Sequence, residues 1–208
     1  MATVLFDEYV MVDWSASSRP TTGTDSIWIA RFDPALGVVA LENPSTRRRA
    51  ESLVHELLQA AGARRVLLGV DVPLGYPAGF AACVAGPDDD ARPDWSAVWR
   101  VIADGLDDGD DNRNDRFTLA ARFNERVSDG PGPFWGCPAG IAGPSLATRK
   151  VHRFPVATPS GPLEEYRVTE RRSRTMGRRP LSVWQTAYTG SVGSQALTAI
   201  PVLDRLVR

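Results

Sequence analysis

The chain has 208 residues and is poor in the side chains from which the commoner catalytic centres are built. Its only cysteines are Cys83 and Cys137. Two thiols cannot form a disulfide framework, and a reducing cytoplasm is the simplest setting for them. His55 and His152 are the only histidines, and with the cysteines they show no zinc-ligand spacing. A Ser-His-Asp hydrolase on an α/β sheet needs a nucleophile elbow, and none is present. Lys150 is the only lysine, and the Gly190–Ser194 turn lacks the lysine of a nucleotide-binding phosphate loop. No apolar run nears the ~20 residues of a membrane helix. Met1 to Glu8 carries acid and lacks the basic start of a signal peptide. Repeats, heptads and low-complexity tracts are missing too. The expectation is one domain, 1-208, with a sizeable core.

Charge is balanced in sum and uneven along the chain. The net charge of −1 argues against a generally basic nucleic-acid-binding coat. Acid gathers in Asp88-Asp89-Asp90 and from Asp104 to Asp115; base gathers in Arg47-Arg48-Arg49 and from Arg167 to Arg179. The second acidic run lacks the glycine and terminal glutamate spacing of a calcium loop and reads as a solvated, exposed loop. Almost all the base is arginine, the better residue for bidentate phosphate contacts, although a bias in genome composition gives the same preponderance.

Two stretches organise the rest. In Tyr9-Val10-Met11-Val12-Asp13-Trp14-Ser15-Ala16-Ser17 an unalternating apolar run ends in a carboxylate. Such a run predicts a strand covered on both faces. Arg65-Val66-Leu67-Leu68-Gly69-Val70-Asp71-Val72-Pro73 repeats the pattern, and Pro73 stops the ladder. Open α/β sheets bind ligands outside the carboxyl ends of their strands. If the two strands are parallel neighbours, Asp13 and Asp71 meet there, and oxygen-only ligands suit Mg²⁺ or Mn²⁺. The bland reading is that each acid caps a turn.

Between the two stretches, Asp25 to Phe32 and Val38 to Leu41 read as strands. Ala50, Leu53, Val54, Leu57, Leu58 and Ala61 mark one helical face, with Ser45 or Thr46 as N-cap and Gly62 just past the end. The opening order is therefore β-β-β-α-β. Helices are expected at Asp94–Ile102 and Arg116–Val127. A Gly/Pro-rich insertion spans 128-162. Leu163 to Glu170 is a strand or a helix start, Arg171 to Pro180 a basic loop, and Leu181–Tyr188 and Gln195–Val207 helices. The tryptophans read as core, except Trp14, which follows the first acid.

Val12-Asp13-Trp14-Ser15-Ala16-Ser17, Asp25-Ser26-Ile27-Trp28, Gly69 to Pro77, Pro131 to Gly136 and Gly190 to Leu197 resemble an uncharacterised bacterial family. That family is predicted to have a ribonuclease H-like fold and nuclease activity, and some members carry labels connected with molybdopterin or cobalamin biosynthesis. The resemblance implies a mixed five-stranded sheet whose first and fourth strands carry acids. It implies a divalent-metal-dependent phosphodiester hydrolase, with nucleic acid or a nucleotide as partner and Mg²⁺ or Mn²⁺ as cofactor. Asp13 matches the first acid and Asp71 the second. Glu170 is the chosen third, with Glu165 as rival or an acid beyond Arg208. Members continue past the position of Arg208, so a truncated chain is expected. Ser15 and Ser17 could meet phosphate in the turn after the first strand, and Arg171 and Arg172 beside the third acid. Two alternatives stand beside this: an actin-like nucleotide-binding phosphotransferase, and a non-catalytic binding domain on the same fold.

Overall fold

A computed structural model describes residues 5–85, 93–128 and 130–208; the acidic triplet Asp88-Asp89-Asp90 lies outside them. The fold is α/β, with a mixed four-stranded sheet and six helices among the described residues. Contacts within the chain group into two compact units, Met1–Val72 with Asp108–Asn114, and Pro73–Asp107 with Asp115–Arg208.

The first unit holds the sheet. Its elements are β1 (Glu8–Asp13), β2 (Trp28–Asp33), β3 (Gly37–Glu42), α1 (Arg47–Ala60) and β4 (Val66–Val70). The β-β-β-α-β order is the one expected from the sequence. The strands lie in the order β3-β2-β1-β4, with β1 antiparallel to β2 and parallel to β4. The expected fifth strand is not found among the described residues. Leu163, in the later stretch with strand character, makes only an isolated bridge to Val156, and a helix starts at Val168.

The open face of the sheet corrects a second expectation. Val10, Val12 and Ile29 are buried, but Met11, between them on the opposite face, is 52% exposed, and Phe32 is 43% exposed. β1 is therefore covered on one face, not two. Apolar residues on the other face pack sideways instead. Met11 lies over Gly69, where an added Cβ would come within 2.6 Å of the Met11 sulfur. Tyr9 meets Phe6 and Phe32 edge to face.

Helix α1 begins as its sequence dictates: the Thr46 side chain accepts the Arg49 amide, and Gly62 follows the helix at φ +57°. Its first residue, Arg47, is only 2% exposed. A guanidinium is buried at tolerable cost only if its donors are satisfied. Here Nε and Nη2 donate to Asp108 at 2.7 and 2.5 Å, Nη2 also to the Asn112 carbonyl at 2.7 Å, and Nη1 to the Ser17 carbonyl at 2.7 Å. Asn112 is itself buried at φ +70°, and its side chain accepts from the Arg47 amide and donates to the Arg19 and Ser45 carbonyls. The acidic run is thus not simply a solvated loop. Its segment Asp108–Asn114 folds into the first unit as the counterpart of a buried arginine.

The second unit is helical: α2 (Phe80–Val84), α3 (Trp95–Gly105), α4 (Arg116–Val127), α5 (Val168–Thr175) and α6 (Val192–Val207). Helix α3 packs on α2 and α6, and Phe80, Phe123, Phe134 and Trp184 form an aromatic core. The irregular insertion is pinned by buried Asn124, which accepts from the Phe134 amide and donates to the Phe134 and Ser145 carbonyls. The segment 181–188 is turn structure rather than the expected helix. Its backbone pairs with the insertion: the Trp135 amide donates to Trp184 and the Thr186 amide to Trp135. Helix α6 starts three residues earlier than expected, and in its first turn Gly193 sits flush against residues 183–185. A Cβ there would lie 2.3 Å from the Val183 oxygen. The Val192, Gly193 and Ser194 amides already have backbone acceptors, so the turn before α6 offers no anion site through them.

Arg47→Met is expected to cost about 3–5 kcal/mol, because it strands Asp108 and Asn112 inside the unit. Urea unfolding followed by circular dichroism reads this, and a loss under about 1 kcal/mol would show the hub to be dispensable. Gly193→Ala is expected to lose about 3 kcal/mol or more through overpacking, measured in the same way.

Candidate functional site

The site is assembled by strand register. Val12 pairs with Val70 across the parallel β1–β4 ladder, and the Asp71 amide donates to the Val12 carbonyl at 2.9 Å. The next step along both strands brings out Asp13 and Asp71. Alternation along β1 sets Asp13 on the face that carries Met11, and Asp71 follows directly on the end of β4 beside it. Both residues are exposed, and neither carboxylate has a hydrogen-bond or ion-pair partner among the described residues.

Desolvation pushes the Asp13 carboxyl above its ordinary value, and the negative charges of Asp71 and Asp25 push it further. Asp25 is the functional candidate that the sequence reading missed. It stands exposed in the turn before β2 at φ +58°, and its carbonyl accepts from the Ser15 hydroxyl at 3.1 Å. The available signal was the hairpin: antiparallel pairing sets Asp13 opposite Trp28, which brings the approach to β2 to the carboxyl end of β1.

Opposite charge is abundant elsewhere on the sheet. At the other end of β1, Glu8 is bound by Arg31 at 2.6 Å and Arg64 at 3.0 Å, and Arg65 pairs with Asp7. At the carboxyl end no described arginine pairs with Asp13 or Asp71. Among the described residues no group of three His, Cys, Asp or Glu stands in ligating geometry. Mg²⁺, however, keeps several waters and is bound by one or two carboxylates together with substrate oxygens. An exposed, unneutralised pair fits that demand.

The other predicted residues fall as follows. The Ser17 amide donates to the Ser15 hydroxyl, and the Ser17 hydroxyl bonds the Arg19 carbonyl and Thr21. Their turn is ordered by its own hydroxyls and by Arg47. Trp14 is buried at 4% exposure, a core residue. Glu170 lies in the second unit, where Oε2 accepts the Arg167 amide at 2.7 Å and Oε1 accepts its guanidinium, closing a capping box at the start of α5. The rival Glu165 is bound by Lys150 at 2.9 Å. Arg171 and Arg172 are exposed on α5. Cys83 donates to Thr158 and Cys137 to the Leu146 carbonyl, both as free thiols.

No family model, no curated protein and no solved structure matches this chain.

The raised Asp13 value sets a pH dependence. The folded state favours the protonated acid, so Asp13 destabilises the fold above its folded pKa, and the penalty vanishes as pH falls below the unfolded value. Without metal, Asp13→Asn is expected to raise the Tm at pH 7 by a small margin, since solvent exposure screens most of the repulsion. The gain should disappear near pH 3. Thermal melts at both values test this, and a lower Tm at pH 7 would mean that Asp13 is a stabilising cap.

Proposed function

We propose that the chain carries the acidic centre of a divalent-metal-dependent phosphodiester hydrolase, a nuclease with a ribonuclease H-like sheet. The observation that carries this reading is the asymmetry of β1: acids neutralised by arginine at its start, and acids left bare on neighbouring strands at its end. Leaving two like charges together is unfavourable unless a cation joins them. The β-β-β-α-β order with acids ending the first and fourth strands supports the ribonuclease H-like reading, as do the sequence motifs that carry the family resemblance.

Asp13 and Asp71 would hold Mg²⁺ or Mn²⁺; Glu170 is spent on its helix cap, and Asp25, whose charge acts on Asp13, lies in the same unit as the pair. Such an ion supplies an activated water and a stabilised leaving oxygen for phosphodiester cleavage. The chain's own residues set the geometry for it. Strand pairing fixes the separation of the two acids, and Arg47 braces the Ser15–Ser17 turn that follows Asp13, where hydroxyls could approach a phosphate. A cytoplasmic location belongs to the same proposal; no described helix is long and apolar enough to cross a membrane.

Calorimetric titration of Mn²⁺ should show one binding process in the wild type and none in Asp13→Asn or Asp71→Asn. Cleavage of labelled single-stranded and duplex DNA and RNA should require Mn²⁺ or Mg²⁺ and fall at least about 100-fold in either variant. Equal heats in all three proteins would remove the metal centre. Metal binding without cleavage of any substrate would leave a metal-binding domain and reject the nuclease.

A further inference from the structure

We infer that α5 and the turn after it form a docking surface for the sugar-phosphate backbone of a nucleic acid, bound without regard to sequence. The residues between 171 and 179 include five arginines and no acid. Arg174 lies over the Tyr166 ring, its guanidinium carbon 4.7 Å from the centroid. Arg171, Arg172, Arg178 and Arg179 are exposed and have no partner among the described residues. In the first unit, by contrast, Arg31, Arg48, Arg49, Arg64 and Arg65 each meet an acid.

Nothing in the core asks for this helix. It has eight residues, none of them buried, and Val168 is 67% exposed. A helix this short is marginal on its own, and repulsion among its cations weakens it further. Its ends are nevertheless closed. The capping box fixes the start, and the Met176, Gly177 and Arg178 amides donate back to Ser173 and Arg174, with Gly177 at φ +75°. The second closure turns Arg178 and Arg179 back beside the last turn of the helix. Four exposed guanidinium groups without a described partner thus belong to one short, ordered stretch.

The missing counter-charge defines the partner. Arginine forks match phosphate oxygens bidentately, and a polynucleotide supplies such oxygens at regular spacing. An anionic membrane is the poorer match, because a surface-lying helix needs a wide apolar face, and the one apolar residue of α5 is Val168. The inference requires no metal at Asp13 and Asp71 and stands or falls apart from the hydrolase reading.

The test is fluorescence anisotropy in EDTA with labelled 20-mers of DNA and RNA, single-stranded and duplex, from about 50 to 300 mM salt. Wild type should bind, with log K against log salt falling with a slope of about −3 to −4 on duplex and about −3 on single strands. The variant with Arg171, Arg172, Arg178 and Arg179 all changed to Gln should bind at least about tenfold more weakly at low salt, with most of that slope lost. The matching change to Lys should keep most of the slope, and a circular dichroism melt checks that both variants fold. The inference is overturned if wild type fails to bind every probe at about 50 mM salt, if the Gln variant binds as tightly as wild type, or if only vesicles of phosphatidylserine and phosphatidylcholine are bound.

Discussion

The arrangement of the first unit depends on one buried guanidinium. Arg47 meets three pieces of chain: the turn after β1, its own helix start, and the Asp108–Asn114 segment. Apolar contact could hold these pieces together but could not fix their backbones, since apolar attraction has no direction. A planar fork with five donors does have direction. It bonds the Ser17 carbonyl on one side and Asp108 with the Asn112 carbonyl on the other, so the turn that follows Asp13 takes its shape from a residue 34 positions further on. Burial strengthens each of these bonds and makes the loss of any of them costly.

That constraint matters because the site itself supplies no cohesion. Desolvation raises the Asp13 value, and the charges of Asp71 and Asp25 raise it further. Glu8, at the start of the same strand, is more deeply buried yet shows how the fold deals with a charge it means to neutralise: two arginines reach it from different elements. The carboxyl end receives no such treatment. The strands, the turn and the Arg47 hub must therefore hold the acids in place, and Asp25 is kept in a left-handed conformation that a non-glycine residue seldom adopts.

What could be read from the sequence follows from the range of the interaction involved. The α1 helix, its Thr46 cap and Gly62 are local, and local pattern found them. The strands of Asp13 and Asp71 were equally clear, because β-branched runs that end at Pro or small hydroxyl residues have few other readings. Exposure of Met11 was not legible, since an unalternating apolar run looks the same whether its second face is covered by another layer or packs sideways over a glycine. Nor was the turn structure of 181–188. Its apolar spacing suits a helix, and pairing with Trp135, some fifty residues earlier, overrides it. Arg47 with Asp108, and Asp13 with Asp25, are pairs made by topology between charges that look like ordinary surface residues. Glu170 was legible in the opposite sense: an acid three residues after Arg167, at a helix start, is a capping pattern.

The two groups of arginines illustrate why composition alone could not settle the question of partners. A bias toward arginine in the coding sequence would raise its frequency everywhere and would not by itself decide which guanidinium groups find acids. In the first unit arginines lie within salt-bridge distance of carboxylates, many of them between residues far apart in the chain, so those contacts are products of folding. The acid within α5, Glu170, is committed to Arg167, and residues 171–179 contain none. Exposed ion pairs add little stability, so pairing of surface arginines is weakly enforced by folding. Where pairing is missing among the described residues, the reason lies in the local sequence: acids stand at the carboxyl ends of β1 and β4 in the first unit, arginines crowd α5 in the second, and each group, taken by itself, calls for a counter-charge from outside the chain.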